Sequence, residues 1–361
     1  MSNLHVFNLC HDLALACGSS SYCPPQRVAC LERDLLPLAL ATTREGDMLV
    51  VDDRDVDAIN SWRAARGLAG TVVGRSSLRK VAADVERVLP WGWDERLAAW
   101  LRRSGVTCLP TAARLNRIRK LASKATAGEV LRRLGSHEGW CGASSEVFTV
   151  EAAATQVAAY GASVLKAPWS SSGRGLRRVA DGELTAADRQ WVAGVIGKQG
   201  SVVVQPWFDK ILDLAAEFIA DAEGVRFEGF SLFLTDRFGY KGNLLLPQRE
   251  LKRRAALPIG ERLLSHTVER LAEVLSELTC GKYEGPLGVD MMVCRVGDAA
   301  LLNPCIELNA RMTMGMLAMR LYEATVKTGL LRIGRVEECG GYPLLPPLRG
   351  ASFTAWIEGA T

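Results

Sequence analysis

The stretch Gly285–Gly315, GPLGVDMMVCRVGDAALLNPCIELNARMTMG, constrains this chain more than any other. It predicts two short strands joined by a tight turn at Val296-Gly297-Asp298, because apolar runs flank a Gly-Asp pair. Asp290 sits inside the first run, and Glu307 and Asn309 close the second. A hairpin folded at that turn brings Asp290 across from the segment 303–307. Acids inside otherwise buried strands are costly unless a positive group lies against them. Glu307 and Asn309 are two residues apart, so they leave the strand on one face. Two carboxylates and an amide oxygen on one surface are hard oxygen ligands, the set Mg²⁺ takes when it also holds phosphates. Two unrelated, salt-bridged acids on a half-exposed hairpin would read the same way, so the segments upstream decide.

At 361 residues the chain predicts two or three domains. Its net charge of +4 is too mild to argue for a nucleic-acid partner. Ten cysteines are many, but Cys10, Cys17, Cys23 and Cys30 form no C-x-x-C pair. A zinc site from His5, Cys10, His11 and Cys17 matches no common ligand spacing. Reduced, mostly buried thiols in a cytoplasmic protein fit better. Leu13–Gly18 has the look of a lipoprotein cleavage site. No Lys or Arg precedes it, however, and His5, His11 and Asp12 interrupt the apolar run. No segment reaches the roughly 18 uninterrupted apolar residues of a membrane span. The expectation is a soluble, cytoplasmic protein with no membrane partner.

Residues 1–115 read as a small parallel α/β layer, with strands at Leu4–Asn8, Met48–Val51 and Thr71–Val73. Helical stretches such as Arg54–Arg66 and Asp94–Arg103 alternate with them. Asn8, His11 and Asp12 follow the first strand, at the end of an α/β sheet where ligands sit, and are candidate substrate contacts. Alternatively, Asp12 caps the Ala/Leu helix that begins there.

Near Leu115 the pattern changes. Lys124 precedes a helix, Thr126–Leu134, and a further helix, Glu151–Tyr160, ends at Gly161. Ser163–Pro168 is a strand carrying Lys166 in an apolar setting. It leads into Trp169-Ser170-Ser171-Ser172-Gly173-Arg174-Gly175, a small, hydroxyl-rich loop. Such a loop lets backbone N–H groups and hydroxyls approach phosphate oxygens while Lys166 supplies a compact charge. It is neither a Walker loop nor a Rossmann glycine fingerprint, and a serine-rich hairpin tip is the other reading. Ser201–Gln205 predicts a buried strand ending at Pro206-Trp207-Phe208. In the strand Leu212–Ile219, Asp213, Ala215 and Glu217 share one face. A strand Val225–Leu234 and a polar turn from Asp236 to Asn243 follow. The apolar stripe of Leu264, Val268, Leu271, Leu275 and Leu278 marks Glu261–Thr279 as a packing helix. A last helix, Met316–Thr328, precedes a Gly/Pro-rich tail.

Lysine before a helix, lysine on a strand, small-residue loop, apolar hinge, acid-bearing strand, Asp and then Glu-x-Asn is an order that resembles the ATP-grasp superfamily. The likeness covers residues 115–330, and Glu307-Leu308-Asn309-Ala310-Arg311 is its most specific part. Phe7–Ala16 also resembles the start of a group of bacterial ATP-grasp-like proteins that reads N-P-E-H-D-x-A-L-A, with Leu9 and Cys10 here replacing Pro and Glu.

The resemblance implies an α/β and α+β protein. Two α+β subdomains, residues 116–200 and 201–361, would enclose ATP behind a pre-ATP-grasp domain, residues 1–115. It assigns Lys124 and Lys166 to the α- and β-phosphates, with Ser170, Ser171, Ser172, Gly173 and Gly175 closing over them. Gln205, Pro206, Trp207 and Phe208 would be the hinge along the adenine. Asp213 would take the ribose, with Glu217 nearer the metals. Asp290, Glu307 and Asn309 would hold Mg²⁺, or Mn²⁺ in its place. Arg311 would neutralise the transferred phosphate, with Lys241 as a further phosphate contact. Substrate contacts would come from Asn8, His11, Asp12, Arg237 and Asn243. The implied activity is ATP-dependent ligation of a carboxylate to an amine through an acylphosphate, on a small-molecule or peptide substrate. A small-molecule kinase, a non-catalytic nucleotide-binding regulator and a homodimer stay open.

Overall fold

Four short apolar strands near the N-terminus build a parallel layer: β1 (Asn3–Val6), β2 (Met48–Val51), β3 (Thr71–Gly74) and β4 (Arg87–Pro90), in the order β3-β2-β1-β4. The structure is a computed structural model that describes residues 2–170, 175–236 and 239–361. The expected positions Ser171, Ser172, Gly173 and Arg237 lie outside the described residues. Further strands are β5 (Ser145–Val147), β6 (Ser163–Lys166), β7 (Leu176–Val179), β8 (Val202–Pro206), β9 (Asp209–Ala220) and β10 (Val225–Asp236). After these come β11 (Gly239–Leu245), β12 (Gly285–Val296), β13 (Ala299–Asn309), β14 (Gly329–Arg335), β15 (Tyr342–Pro343) and β16 (Phe353–Glu358).

The chain forms two compact units. One comprises Met1–Asn116, Lys241–Pro247 and Arg311–Thr361. Residues from all three segments share one core, in which Phe7, Leu38, Leu49, Leu245, Leu317, Leu331 and Ile357 are buried together. The Gly/Pro-rich tail, to which the sequence assigned no element, supplies three strands in the order β14-β16-β15. Leu331 and Ile357 face each other there with no exposed surface, and that burial outweighs the turn-forming composition around them. The polar segment 236–243 is likewise not a turn alone. From Gly239 it is β11, and Asn243 lies opposite Leu331, buried in the ladder rather than at a loop tip. Asp12 is not the cap of the first helix, His11–Cys17. Cys10 holds that position and Asp12 sits in the first turn.

The other unit comprises Arg117–Tyr240 and Gln248–Ala310. One of its sheets is antiparallel, ordered β5-β8-β6-β7, over a core of Val147, Val157, Leu165, Val202 and Val204. The other carries β13-β12-β9-β10 in order, also antiparallel. The helix Glu261–Thr279 packs its apolar stripe against β9 and β10, with Leu264, Leu271 and Leu275 fully buried. Among the described residues, no helix is long and apolar enough to cross a membrane.

Candidate active site

The hairpin β12–β13 turns where the sequence predicts and carries the acids on one face. Asp290 pairs with Glu307, and Gly288 with Asn309. On the other edge of β12, Asp290 faces Ala215 and Gly288 faces Glu217 on β9. Directly opposed residues project to the same side of a sheet, so Glu217, Asp290, Glu307 and Asn309 form one acidic and amide patch in two adjacent rows. Glu217 is fully buried and accepts a hydrogen bond from the Ser231 hydroxyl at 3.0 Å.

Two lysines answer that charge. The Lys124 ammonium forms a short ion pair with Glu307. Its backbone N–H is tied to the Pro168 carbonyl at 2.9 Å, which fixes the turn before the helix Thr126–Leu134. Lys166 ends β6 with its side chain buried and its ammonium donating to the Ile306 carbonyl at 3.4 Å. Burial is the main influence on its acidity. Glu307 and Asp290 favour the charged form, Lys124 opposes it, and the net result holds the ammonium down at about 8. The lysine therefore carries its charge at neutral pH at the expense of desolvation, a perturbation that functional sites concentrate.

The register contains an irregularity that sequence reasoning missed. From the turn, the ladder runs regularly to Met292 opposite Asn303. The next pair is Asp290 with Glu307, so Pro304, Cys305 and Ile306 stand against Met291 alone. This is an enlarged β-bulge. The Asn303 side chain accepts from the Cys305 N–H at 3.2 Å and shapes it. On the outer edge of β13, Cys141 N–H donates to the Leu302 carbonyl at 2.9 Å, and Leu302 N–H to Gly139 at 3.0 Å. A Cβ on Gly142, whose φ is +110°, would come within 2.6 Å of the Asn303 side chain, so the close approach requires glycine. Pro304 inside a strand was the available signal, because proline there marks an edge or a bulge.

The remaining expected residues are placed as follows. Ser170 Oγ is buried without a hydrogen-bond partner among the described residues, and Gly175 folds back against it. The Gly175 carbonyl accepts from Ala167 N–H at 2.8 Å, closing the base of the loop. Gln205 and Pro206 end β8, and Trp207 and Phe208 bridge to β9. The Gln205 side chain is buried, donating to the Ile306 carbonyl at 3.1 Å and to Ser144 Oγ at 3.2 Å. The Trp207 ring lies under the Arg178 guanidinium, 4.4 Å from its centroid. Asp213 is engaged by Lys210 at 2.6 Å and by the Thr235 hydroxyl at 2.6 Å.

Elsewhere, in the unit that holds the N-terminal strands, Arg311 grips Asp12 through Nε at 2.9 Å and Nη2 at 3.0 Å, a bidentate pair. Its Nη1 donates to the Met312 carbonyl at 3.0 Å. Asn8 donates to the Gly92 carbonyl at 2.8 Å and to Asp94 at 3.0 Å. The His11 ring is fully buried beneath Gly92. It lies 3.5 Å from Asp94 and makes no hydrogen bond among the described residues. Lys241 is on β11, and its carbonyl accepts from Arg332 at 3.1 Å.

Whether the patch suits a divalent ion follows from its donor set. Among the described residues, no three His, Cys, Asp or Glu side chains converge as a protein-only cage. Mg²⁺ bound with phosphates takes only one or two carboxylates from the protein, so Asp290 opposite Glu307, with Asn309 beside them, fits that mode.

Two antiparallel sheets, one bearing a buried lysine and the other an acid face, together with a parallel N-terminal layer, constitute the ATP-grasp fold. Comparison with solved structures agrees. N5-carboxyaminoimidazole synthetase from Staphylococcus aureus, complexed with ADP, superposes with a TM-score of 0.53 at 10% identity, covering 99% of this chain and 93% of that one. An ATP-grasp superfamily protein from Archaeoglobus fulgidus gives 0.50 at 12% identity, covering 99% of both chains. The biotin carboxylase domain of Hydrogenobacter thermophilus 2-oxoglutarate carboxylase, solved with MgADP, ADP and bicarbonate, gives 0.53 at 13% identity, covering 92% and 74%. No protein-family model and no curated protein matches the sequence.

Proposed function

We propose that the protein is an ATP- and Mg²⁺-dependent ligase that joins a carboxylate to an amine. The observation that carries this reading is the buried Lys166 ammonium held beside Lys124 and against the Asp290/Glu307 face. Lysines set beside acids can hold a polyanion and its counter-ion together, the lysines on the phosphates and the acids on the cation. In support, solved neighbours of this fold hold ADP or MgADP.

In this reading Lys124 and Lys166 bind the α- and β-phosphates, and the loop 170–175 closes over them. Trp207 and Phe208 wall the base. Asp290, Glu307 and Asn309 hold Mg²⁺, which when bound neutralises phosphate charge. The acid's carboxylate oxygen attacks the γ-phosphorus and ADP leaves. The amine then attacks the acyl carbon, losing a proton as phosphate departs. Phosphoryl transfer needs positioning and charge neutralisation more than covalent help, and these residues supply both. Closing the loop excludes water from the acylphosphate.

A screen of acid and amine pairs, scored by ADP release with mass detection of the conjugate, tests the reading. Asp290→Asn and Glu307→Gln should each cut turnover by about 100- to 1,000-fold with the fold retained. Undiminished ADP formation in both variants refutes the assignment. A phosphorylated product stable to hydroxylamine would replace ligation by a kinase reaction on a hydroxyl.

A further inference from the structure

The bulge in β13 turns one backbone carbonyl away from the sheet. Ile306 lies within it, and its oxygen meets two side chains from the neighbouring sheet of the same unit, Lys166 at 3.4 Å and Gln205 at 3.1 Å. A carbonyl oxygen has two lone pairs, so this acceptor is filled. We propose that Gln205 is a positioning residue for the phosphate end of the nucleotide site, acting through the Ile306 carbonyl on Lys166 and not on the base.

The donors of Gln205 support this. Its amide carries two hydrogens, and both have acceptors on the protein, Ile306 O and Ser144 Oγ. With the side chain 4% exposed, little of it is left to touch a bound molecule. Lys166, by contrast, is a point charge on a flexible four-carbon stem, and its head goes where its acceptors are. Glu307 on β13 and Asp290 on β12 attract that head, Lys124 from the turn before its helix repels it, and Cys305 faces it from the bulge. A lysine left to these charges alone would collapse onto the carboxylates. The Ile306 carbonyl offers a neutral acceptor that holds it off them, and Gln205 keeps that carbonyl from swinging. Asn303 and the segment 139–142 brace the other end of the bulge.

The inference deepens the nucleotide-binding reading and rests on it. MgADP and magnesium inosine diphosphate are titrated by calorimetry into the full chain and into Gln205→Met, Lys166→Met and the double variant. Binding by the unmodified protein tests the reading, and no binding overturns both. Given binding, Gln205→Met should weaken both diphosphates equally, by about tenfold. In the Lys166→Met background the same change should have no further effect, because it acts through that lysine. Losses that add across the two positions, or a loss confined to the adenine nucleotide, overturn the positioning role while leaving the nucleotide site standing. So does wild-type affinity in Gln205→Met. If that variant fails to fold, Gln205→Leu, neutral and without a donor, carries the same test with the same outcomes.

Discussion

Lys166 makes two opposite claims on pH, and the prediction is that they can be measured separately. Burial lowers its pKa from the ordinary 10.5 to about 8, although Glu307 and Asp290 pull the other way. Between those values the folded protein binds fewer protons than the unfolded chain, so stability rises with pH through the window. The difference corresponds to about 3 kcal/mol, absent below pH 8 and fully recovered above about 10.5. Nucleotide affinity has the opposite sign. It depends on the ammonium, and above pH about 8 it should fall towards tenfold per pH unit. Urea unfolding of the ligand-free protein and of Lys166→Met, from pH 7 to 10.5, isolates the first effect, because other titrating groups cancel in the difference. The expected result is a wild-type curve that gains on the variant by up to about 3 kcal/mol across that range. Calorimetry with MgADP reads the second. Parallel stability curves, or affinity that holds to pH 10, would show that Lys166 is neither desolvated nor engaged as described.

Other parts of the molecule give simpler tests. Leu275→Ala removes a fully buried side chain from the stripe of Glu261–Thr279 and should cost about 2–5 kcal/mol in urea unfolding. Gly92→Ala would place a methyl 2.6 Å from the buried His11 ring and should cost about 1–3 kcal/mol. His11→Ala in the same chain should restore part of that loss. Thr313→Ala removes the hydroxyl that accepts from Met316 N–H at 2.9 Å, and loss of this cap should cost about 1 kcal/mol.

Much of the fold was legible where local chemistry and burial agree. The helices Thr126–Leu134 and Glu261–Thr279, and the strand Met48–Val51, fall within the predicted bounds because apolar spacing, glycine stops and burial all point one way. Legibility fails where partners distant in sequence decide. β14 and β16 look like a Gly/Pro-rich tail until Leu331 and Ile357 meet across the ladder. Asp12 reads as a helix cap because its neighbours are Ala and Leu, but Arg311, 299 positions on, takes its carboxylate. The sequence places Asp213 on one strand face with Glu217 and shows no partner for it. Lys210, three residues before it, satisfies it locally.

The acid face of the β12–β13 hairpin shows how near sequence reasoning comes, and what it lacks. A regular hairpin folded at Gly297-Asp298 pairs Val296 with Ala299, and continued without interruption it would set Asp290 opposite Cys305. In the structure Asp290 meets Glu307, two positions on. Because side chains alternate with a period of two, a slip of two preserves the face while changing the partner. The face was therefore predictable from the spacing of Glu307 and Asn309, whereas the pairing depends on how many residues the bulge holds. Deleting Pro304 and Cys305 should consequently give a regular hairpin that keeps Glu307 opposite Asp290, sets Ile306 opposite Met291 and abolishes the outward Ile306 acceptor. MgADP binding should then weaken by about tenfold with every expected site residue still present in the chain. If such a deletion binds nucleotide with undiminished affinity, the bulge does not shape the site.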